Sequence, residues 1–583
     1  METYVADFET TTNEDNCHVW AWAVCEVGNT DNLWIGTDIY DFMDWCELRP
    51  ENVKVYFQGL KFDSQFIINW LFENEFVHVE KSEDRATKTF KTMISDKGLY
   101  YAIEIIFYRK GKNIKKITFY DSQKLFPNMS VDDIAETFRM PIRKLHIDYD
   151  RHNDLPYGSP LSKEEQEYII NDVKIVANAI EIFQQQGMDK ITIASCAMAE
   201  YKKIIGDRKF KRWFPVLRKE IHEDIRQGYR GGFTYVMPDI AGKNVKDGAV
   251  ADINGLFSSV MMDEKLPWGT PIFYKGKYEP DDLYPLYTQM IRCQFELKPG
   301  KIPTIQIKHS MYYAGNEYLT TSNYEDVVLC LNSVDLKLFL EQYNVYNLEY
   351  ISGWKFKAAR GFFDEYIKKW SKIKEDAKES GNWGLYFLAK QMLNALYGKF
   401  GTSCTRRSKA PYMGADGVVK YKDLPPVTQE GVYLPMASFI TSFARDRMIR
   451  ALQRATDDYR SGKSDIRPAY CDTDSLHCLS KDQRLPEWME IDRNKLGAWK
   501  FESKFKRGRF LRQKCYIEQS TEDVDNPDPE YKLKITVAGM PSECYDQVNF
   551  RNFKIGATYK GKKMPQRVKG GVILRSIDFT IKP

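Results

Sequence analysis

Two aspartates one residue apart, in the segment YCDTDSLH (470–477), place the strongest constraint on how this chain folds. The flanking residues are mostly apolar, which is typical of a β-strand. Side chains at positions i and i+2 of a strand point to the same face, about 7 Å apart. Asp472 and Asp474 would therefore repel each other when half buried, unless one took up a proton or a divalent cation lay between them. The alternative interpretation is a common hairpin turn rich in Asp and Ser.

The bulk composition limits the class of protein. The chain has 583 residues, more than one hydrophobic core usually organises, and 43% of them are hydrophobic. Apolar runs such as FIINWLF (66–72) are too short to cross a bilayer, and the N-terminal segment shows no signal peptide. Eleven cysteines without a CxxC pair or a Cys/His cluster indicate reduced thiols, not disulfides or zinc ligands. We therefore expect a multidomain cytoplasmic protein with no membrane partner.

Charge is distributed unevenly, although the net charge is only +4. Residues 1–51 contain twelve acids and one base, 500–514 contains seven bases and one acid, and 554–575 contains seven bases and no acid. This asymmetry suggests a metal-binding region towards one end and a phosphate-binding surface towards the other. For 500–514 an ordinary solvated face explains the charge about as well, but the interleaved aromatic residues favour nucleic acid.

The order of apolar patterns predicts several structural units. The first 190 residues or so alternate strands and helices, which is an α/β pattern. The clearest helix begins at Ser162, where Glu165 completes a capping box, and ends near Gly187. Four further units follow a connecting region: a strand–turn–helix (249–262), a β-rich section (266–356), a helical hairpin (362–400) broken at ESGN, and a loop rich in Pro and Gly (404–431).

An N-terminal group of acids forms one candidate metal site. Asp7 and Glu9 share a strand face, Asp63 opens a helix just after a strand, and Tyr168 and Asp172 share a helix face at i, i+4. Four carboxylates and a tyrosine could hold two divalent ions about 4 Å apart and position a water for attack on a phosphodiester. Each residue alone is more often structural, so only their order and context favour this hypothesis.

Asp252, together with Asp472 and Asp474, forms a second candidate site. Asp252 ends a strand, and the turn after it exposes backbone N–H groups that could receive a triphosphate. Oxygen ligands with no nearby His or Cys indicate Mg²⁺ or Mn²⁺. The apolar flanks of the aspartate hairpin favour this interpretation over a simple turn, because unpaired buried carboxylates are costly.

A polar stripe on a third segment suggests a nucleotide site. In AKQMLNALYGKFG (389–401), Lys390, Asn394 and Tyr397 lie at i, i+4 and i+7 of a helix. A lysine facing phosphates and a tyrosine against a base pair would suit nucleotide insertion, and Gly398 would allow close approach of DNA. An exposed amphipathic helix is the alternative.

These segments resemble, in collinear order and over essentially the whole chain, eight motifs of family B DNA polymerases, most closely the protein-primed phi29-type bacteriophage enzymes. The three nuclease motifs are DFET (7–10), GLKFD (59–63) and YIIND (168–172). The five others are YRGG (229–232), DINGLFS (252–258), KQMLNALYG (390–398), YCDTDS (470–475) and KCY (514–516).

The resemblance implies a multidomain α/β and α+β fold, with an N-terminal RNase H-like 3′-5′ exonuclease domain followed by a right-hand polymerase. The polymerase would consist of palm, fingers and thumb, with two insertions called terminal-protein regions. The implied divisions are exonuclease (1–192), first part of the palm (193–263), first insertion (264–361), fingers (362–403), second insertion (404–431), second part of the palm (432–535) and thumb (536–583). The 138 positions between Asp252 and Lys390 provide room for the first insertion, within IPTIQIK (302–308) to KFKAARGFF (355–363).

The resemblance also implies a role for each matching residue. Asp252 and Asp474 would bind two catalytic metals beside Asp472, with help from the Ile253 carbonyl. Around the nucleotide, Phe257 would exclude the ribose 2′-OH, Lys374 and Lys390 would contact the triphosphate, and Asn394 and Tyr397 would complete the site. On DNA, Lys514 and Tyr516 would hold the primer terminus, Gly398 would lie close to the duplex, and Tyr229, Gly231 and Gly232 would guide the template. In the nuclease, Asp7, Glu9, Asp63 and Asp172 would bind metals, Tyr168 and Lys144 would orient water and phosphate, and Thr10, Phe62 and Ser122 would contact single-stranded DNA.

The implied function is DNA-dependent DNA synthesis with 3′-5′ proofreading, protein-primed initiation and strand displacement on a linear viral genome in an infected bacterial cell. The implied cofactors are two Mg²⁺ or Mn²⁺ ions per active site. The implied partners are template-primer DNA, dNTPs, a terminal protein as primer and a single-stranded DNA-binding protein.

Three alternatives remain. A stand-alone nuclease has no need of the KQMLNALYG and KCY segments, and a non-enzymatic scaffold has no reason to keep seven carboxylates. A conventionally primed polymerase is disfavoured by the long interval after Asp252.

Three departures from the family pattern affect these expectations. Gly59 replaces the usual asparagine before LKFD and follows Gln58, so a side-chain amide for the single-stranded 3′ end is missing and we expect weakened editing. GLFS (255–258) replaces SLYP, although Phe257 should still block ribose by its bulk. Tyr386 stands where relatives often carry lysine, which affects the triphosphate contacts.

Overall fold

The structure is a computed structural model that describes residues 2–49, 52–306, 318–523 and 533–583. The end of IPTIQIK, at 307–308, lies outside these residues. In the part that is described, no helix is both long and apolar enough to span a membrane. All eleven cysteines belong to it and are free thiols, as the sequence predicted.

The N-terminal region is built on an eight-stranded sheet. Its strands are β1 (Thr3–Thr10), β2 (Val19–Glu26), β3 (Asn29–Gly36), β4 (Val53–Phe57), β5 (Val77–His78), β6 (Thr89–Ile94), β7 (Tyr100–Lys110) and β8 (Asn113–Asp121). The spatial order is β3-β2-β1-β4-β8-β7-β6-β5, and β1 is parallel to β4 but antiparallel to β2. The helices of this region are α1 (Ile39–Leu48), α2 (Leu60–Glu73), α3 (Val131–Thr137) and α4 (Lys163–Gln185).

Helix α4 confirms the predicted capping box and brings a functional face onto the sheet. The Ser162 side chain accepts from the Glu165 backbone N–H, and the Glu165 side chain accepts from the Ser162 backbone N–H. The buried face of α4 carries Tyr168 and Asp172 among apolar residues. Because α4 packs across β1 and β2, these two polar side chains face the strand that carries Asp7 and Glu9.

A connecting region leads into the second half of the molecule. Its elements are α5 (Ile193–Ile205), α6 (Asp207–Trp213), α7 (Lys219–Gln227), β9 (Thr234–Val236), β10 (Asn244–Ile253) and α8 (Leu256–Asp263). The β-rich section that follows forms a four-stranded sheet with one helix: β11 (Leu266–Lys275), β12 (Leu286–Leu297), β13 (Val327–Asn332), α9 (Ser333–Gln342) and β14 (Tyr343–Ala359).

The predicted helical hairpin consists of α10 (Asp364–Glu379) and α11 (Trp383–Phe400), with the break at the predicted place. The loop rich in Pro and Gly is more regular than predicted, because it contains two short antiparallel pairs. These are β15 (Thr405–Arg406) with β18 (Val427–Thr428), and β16 (Lys409–Met413) with β17 (Val419–Asp423).

A seven-stranded sheet carries the second set of aspartates. After α12 (Leu434–Arg460), the chain adds β19 (Arg467–Asp472), β20 (Ser475–Leu479), β21 (Trp499–Arg512), β22 (Cys515–Asp523) and β23 (Leu533–Val537). The order is β23-β22-β21-β10-β20-β19-β9, so β10 lies centrally between the aspartate hairpin and β21. A last hairpin, β24 (Thr558–Val568) and β25 (Gly571–Thr580), ends the chain.

All of the predicted domain boundaries except one fall between helices and strands. The division at 535 cuts β23, which pairs with β22 and so belongs to the seven-stranded sheet. That sheet therefore extends to Val537, and the C-terminal unit begins after it.

Candidate active sites

Three N-terminal carboxylates converge at one end of the first sheet. Asp7 and Glu9 lie on β1, and α4 places Asp172 opposite them. Each offers a carboxylate oxygen, and these oxygens lie within 4.8 Å of one another. Two residues of β1 at i and i+2 and one residue of α4 thus bring together three of the four predicted carboxylates.

Asp63 lies next to this group. It is in the first turn of α2 and only 4% exposed. Burial, followed by the neighbouring Asp7, raises the pKa of Asp63 well above its ordinary value. Asp63 is therefore close to the three-carboxylate group without belonging to its tight core.

Lys144 and Tyr168 border the same group. The Lys144 ammonium forms an ion pair with Asp172 and lies 4.7 Å from the centre of the Tyr168 ring. The Tyr168 hydroxyl shares a hydrogen bond of 2.9 Å with the hydroxyl of Tyr149. Burial and the nearby Glu9 raise the pKa of Tyr168, so its hydroxyl keeps its proton. The sequence prediction missed Tyr149, although it lies in the same RKLHIDY segment (143–149) as Lys144.

The structure fits a divalent cation at these carboxylates. The Asp172 oxygen Oδ1 is buried and has no hydrogen-bond partner among the described residues. Burial, followed by the charge of Asp172, raises the pKa of Asp7 to about 7. A bound divalent cation would give the buried Asp172 oxygen a partner and would lower the raised pKa of Asp7. Because the donors are all carboxylate oxygens, Mg²⁺ or Mn²⁺ suits them best.

The three residues predicted to contact single-stranded DNA differ in exposure. Thr10 and Phe62 are half-buried at the ends of β1 and α2 that face the carboxylates. Ser122 is completely buried, and its hydroxyl donates to the Phe57 carbonyl (2.9 Å) and to the side chain of Gln58 (2.5 Å). The Ser122 hydroxyl therefore holds the Gln58 side chain in place, and its predicted contact with single-stranded DNA stays a prediction.

The second group of aspartates meets where β10 lies beside the β19–β20 hairpin. Asp252 is opposite Ser475 in the strand register, and the Ile253 backbone N–H donates to the Asp474 carbonyl (2.8 Å). The hairpin turns tightly at Thr473, whose φ is +67°. Burial, with Asp252 and then Asp472 adding to it, raises the pKa of Asp474 to about 6. Asp252 therefore lies beside the aspartate hairpin, as the sequence predicted.

Lys514 neutralises one of the three aspartates. Its ammonium forms an ion pair with Asp472, and its backbone N–H donates to the Tyr470 hydroxyl (2.9 Å). Tyr516 is only 5% exposed and packs against Tyr470 and Phe510. Lys514 is therefore exposed beside Asp472 and Tyr516 lies behind it, and the predicted contacts of both with a primer terminus stay predictions.

Two aromatic rings stack at the entrance to the second site. The Phe257 and Tyr397 rings are 4.2 Å apart and nearly parallel at 16°. Phe257 is in the first turn of α8, just after Asp252, and Tyr397 is on α11. The contact brings two separately predicted residues together and forms a flat wall beside the aspartates.

Basic side chains line the same entrance. Lys390 and Asn394 are exposed on α11, as is Gly398, where an added Cβ would meet no protein atom within 4 Å. Burial lowers the pKa of Lys374 on α10, and the nearby charges of Lys390 and Lys500 lower it further. Three lysines therefore share one neighbourhood, and Lys500 was not predicted.

The YRGG segment contacts the aspartate hairpin. A Cβ on Gly232 would come within 2.7 Å of the Thr473 side chain, so only glycine fits without displacement. Gly231 has open space beside it. The Arg445 guanidinium donates to the carbonyls of Arg230 (2.8 Å) and Gly231 (2.7 Å). Nothing in the local sequence of α12 marked Arg445 for this role.

Tyr229 and Tyr386 complete the predicted set. Tyr229 is half-buried, and a Cβ on Gly401 would come within 2.8 Å of its hydroxyl. Tyr386 packs edge-on against Trp383 (5.7 Å between ring centres) at the start of α11.

Comparison with known proteins identifies the family. A family model described as DNA polymerase type B, organellar and viral, matches residues 45–159 and 156–485. The chain is 41% identical to the DNA polymerases of Bacillus phages M2 and phi29 over 99% of each chain. It is 31% identical to the DNA polymerase of Streptococcus phage Cp-1 over 99% of this chain and 98% of that one.

The chain belongs to the type B DNA polymerases.

The structural comparison agrees with this assignment. Phi29 DNA polymerase, solved with primer-template DNA and incoming nucleotide, matches over 100% of both chains with a TM-score of 0.91 and 40% identity. The phi29 enzyme solved with single-stranded DNA gives a TM-score of 0.90 at 38% identity. The chain is therefore a DNA-directed DNA polymerase of the phi29 type, with the multidomain fold that its motifs predicted. Polymerases of this type use divalent metals, which agrees with the carboxylate group on β1 and α4.

Proposed function

We propose that this polymerase extends a primer on a DNA template with dNTPs at Asp252 and Asp474, and removes 3′-terminal nucleotides at Asp7, Glu9, Asp63 and Asp172. The observation that carries the proposal is the presence of two separate carboxylate sites on two different sheets. Phi29 polymerase binds primer-template DNA and incoming nucleotide. Its similarity to this chain supports the same substrates here.

For synthesis, Asp252, Asp474 and the Ile253 carbonyl would hold two divalent ions, with Asp472 beside them. When bound, such ions lower the pKa of an attacking hydroxyl and neutralise the charge of a pyrophosphate leaving group. Lys514 keeps Asp472 in an ion pair and presents a cation towards the primer end.

Side chains around the aspartates would select and hold the nucleotide. The Phe257 ring, which stacks on Tyr397, would exclude a ribose 2′-OH by its bulk, and such exclusion does not need the missing tyrosine hydroxyl. Lys374 and Lys390 would bind the triphosphate, and Asn394 and Gly398 lie on the exposed face of α11 that would meet DNA. Tyr229, Gly231 and Gly232 would guide the template past the hairpin that they contact.

For excision, the N-terminal carboxylates would hold two ions, and the remaining side chains would orient the reactants. Tyr168, protonated and held by Tyr149, can donate a hydrogen bond to a water. Lys144, beside Asp172, can contact the scissile phosphate. Thr10 and Phe62 lie where the single strand would enter.

We also propose that synthesis starts on the hydroxyl of a terminal protein and displaces the strand ahead. The sheet at 266–359 is the first insertion and supplies a surface beside α12 for the priming protein. The paired strands at 405–428 form the second insertion, which would surround the template downstream. A single-stranded DNA-binding protein would cover the displaced strand.

The decisive experiment is extension of a labelled primer-template with Mg²⁺, with and without dNTPs. We expect lengthening with dNTPs and shortening without them. Absence of lengthening would contradict the synthetic function, and absence of shortening would contradict the nuclease.

Conventional priming is the alternative to protein priming. Transfer of labelled dAMP onto the terminal protein encoded with this polymerase distinguishes them, because a conventionally primed enzyme would leave that protein unlabelled while still extending DNA primers.

A further inference from the structure

Lys500 lies directly beside Asp252 on the seven-stranded sheet. Asp252 pairs with Lys500 on β21 and with Ser475 on β20, one on each side. Side chains of residues paired in this way project from the same face of a sheet, with their Cβ atoms about 5 Å apart. The half-buried Lys500 side chain therefore projects from the same face as the Asp252 carboxylate, on the side away from the aspartate hairpin.

The segment before Lys500 is fixed to the turn that follows Asp252. The Asn254 backbone N–H donates to the Ala498 carbonyl (2.9 Å), and the Gly497 backbone N–H donates to the Asn254 carbonyl (2.8 Å). Two further hydrogen bonds run from the Asn254 side chain to backbone carbonyls of the same segment. Because this turn opens helix α8, Lys500 is held at a set position relative to the first backbone N–H groups of that helix.

Lysines on two helices lie near Lys500. Lys374 is on α10, and Lys390 is exposed on α11. Burial lowers the pKa of Lys374, and the charges of neighbouring lysines, Lys500 among them, lower it further. Three cations from three different elements are thus gathered at one place. Such a gathering is unfavourable by itself, and an anion bound between the three would offset their repulsion.

The cations next to the aspartates lie on opposite sides of the site. Lys514 pairs with Asp472 at the hairpin, on the side of the proposed primer end. Lys500 lies across Asp252 from that hairpin. An incoming nucleotide places its α-phosphate at the primer end and at the metal ions, so its β- and γ-phosphates lie further from the primer. These outer phosphates therefore fall on the side of Lys500.

We propose that Lys500 binds the β- and γ-phosphates of the incoming nucleotide from the sheet, opposite Lys374 and Lys390 on the helices. A lysine is suited to this task, because its ammonium is a compact charge with three donors on a flexible stem. The proposal deepens the proposed synthesis at Asp252 and Asp474 and rests on it. A lysine that only neutralised Asp252 would instead compete with the metal ions.

The main test compares Lys500→Gln with the unchanged full-length enzyme. Gln has a similar shape at its base but no charge. Loss of a charge-assisted hydrogen bond should raise the KM for dNTP in primer extension by about tenfold. The KM for pyrophosphate in the reverse reaction should rise by a similar factor, because pyrophosphate is the same part of the nucleotide. Lys500→Arg keeps the charge and should restore most of the affinity.

Lys495→Gln is the matched control, because it removes the same charge from the same segment. Lys495 is exposed, and its ammonium pairs with Glu490 (2.6 Å). This variant should leave both KM values unchanged. In both variants, excision without dNTPs, the Kd for primer-template DNA and the melting temperature should stay the same, because Lys500 acts on the nucleotide alone.

Direct binding removes the chemical step from the measurement. A primer that ends in a dideoxynucleotide cannot be extended, so titration of the next dNTP into its complex with enzyme and template gives a Kd. In Lys500→Gln this Kd should rise by about tenfold, by the same estimate for one bond. The Kd for the matching nucleoside monophosphate, which has no β- or γ-phosphate, should not change.

The outcomes separate the inference from the function on which it rests. If the unchanged enzyme fails to extend a primer, or Asp474→Ala still extends it, the proposed synthetic site is wrong. If that site holds and Lys500→Gln leaves both KM values and the dNTP Kd within about twofold, the inference is overturned. It is also overturned if Lys500→Gln only lowers the Mg²⁺ concentration that extension needs, which would mean a neutralising partner of Asp252. A fall in melting temperature and excision together with extension would overturn it as well, because Lys500 would then serve the fold.

Discussion

The two carboxylate sites of this polymerase are built in different ways. The proposed nuclease group is drawn tightly together: oxygens of Asp7, Glu9 and Asp172 lie within 4.8 Å of one another, and Asp172 is buried. At the synthetic site, Asp252, Asp472 and Asp474 are half-buried, and among the described residues they form no such group of three. The protein chain therefore draws the first group of three carboxylates together, whereas the three aspartates of the second site are not drawn together to the same extent.

The neighbouring lysines show the same difference. Lys144 pairs with Asp172, which is a member of the tight group. Lys514 pairs with Asp472, leaving Asp474 to face Asp252. If the first group is the proposed nuclease site, it has to accept any unpaired 3′ end, so its ligands can be rigid. A synthetic site that accepts a new nucleotide at each step benefits from ligands that close only around the correct one.

The strongest test of whether the two sites are separate is to remove one predicted metal ligand from the synthetic site. Asp474→Ala should abolish extension, because the loss of several kcal/mol of metal-assisted stabilisation corresponds to about a thousandfold or more in rate. Excision without dNTPs should remain. The measurement is the length of a labelled primer over time, with circular dichroism as the control for folding. Loss of both activities in a folded variant would mean that the sites are not separate.

The reciprocal change tests the nuclease. Asp7→Ala should reduce excision by a similar factor of about a thousand, by the same metal argument, and leave extension intact. Asp15→Ala, at an exposed acid of the same N-terminal region, is the matched control and should retain excision. Steady-state excision of a single strand that persists in Asp7→Ala would show that the carboxylate group on β1 is not the catalytic site.

The aromatic wall of the synthetic site should control the choice of sugar. Phe257→Val removes the ring that stacks on Tyr397 and opens space beside the nucleotide. Discrimination against ribonucleotides should fall by about 10- to 200-fold, the range for a steric pocket. Single-nucleotide kcat/KM for dNTP and rNTP measures it. Phe257→Tyr, which keeps the ring, should retain discrimination; equal loss in both variants would rule out a steric gate.

The thermal stability of the metal-free enzyme should depend on pH through Asp7. The pKa of Asp7 is raised to about 7, mainly by burial. A carboxyl group whose pKa is raised on folding stabilises the protein below its unfolded pKa, and this contribution is lost as pH rises through 7. The metal-free enzyme should therefore melt at a lower temperature at pH 8 than at pH 5.

Bound Mn²⁺ should stabilise the enzyme more at pH 8 than at pH 5, because the ion binds the ionised Asp7 carboxylate. Its apparent Kd should fall by about fivefold from pH 6 to pH 7, by about a further twofold to pH 8, and then level off. Melting temperatures measured across this pH range, with and without Mn²⁺, report both the stability of the metal-free enzyme and the binding of the ion. In Asp7→Asn the pH-dependent part should disappear; an unchanged pH dependence would assign it to another group.

The predictable parts of the molecule were those that depend on local rules. The capping box at Ser162, the break between α10 and α11, and the neighbourhood of Asp252 and the aspartate hairpin all follow from spacing or motif order. Ser122 could not be judged in this way, because its burial depends on a contact with Gln58, 64 positions away.

Arg445 was missed for a related reason. Arg445 reaches the YRGG carbonyls from the middle of a long helix, across more than 200 positions of sequence. A glycine-rich turn with carbonyls that need donors is a local observation, but the side chain that supplies the donors is a property of the packed structure.

The smallest expected effect belongs to Gly59→Asn. If the missing amide weakens the proposed editing, as the sequence predicts, this substitution should lower the KM for excision of a single-stranded oligonucleotide by about three- to tenfold, because one or two hydrogen bonds to the strand are restored. The gain should lie towards the lower end, because Gly59 has φ +99°, which strains any other residue. Gly59→Ala carries the same backbone strain without the amide and is the matched control. Comparable excision by Gly59→Asn and the unchanged enzyme, with Gly59→Ala also unchanged, would mean that the absent amide does not limit editing.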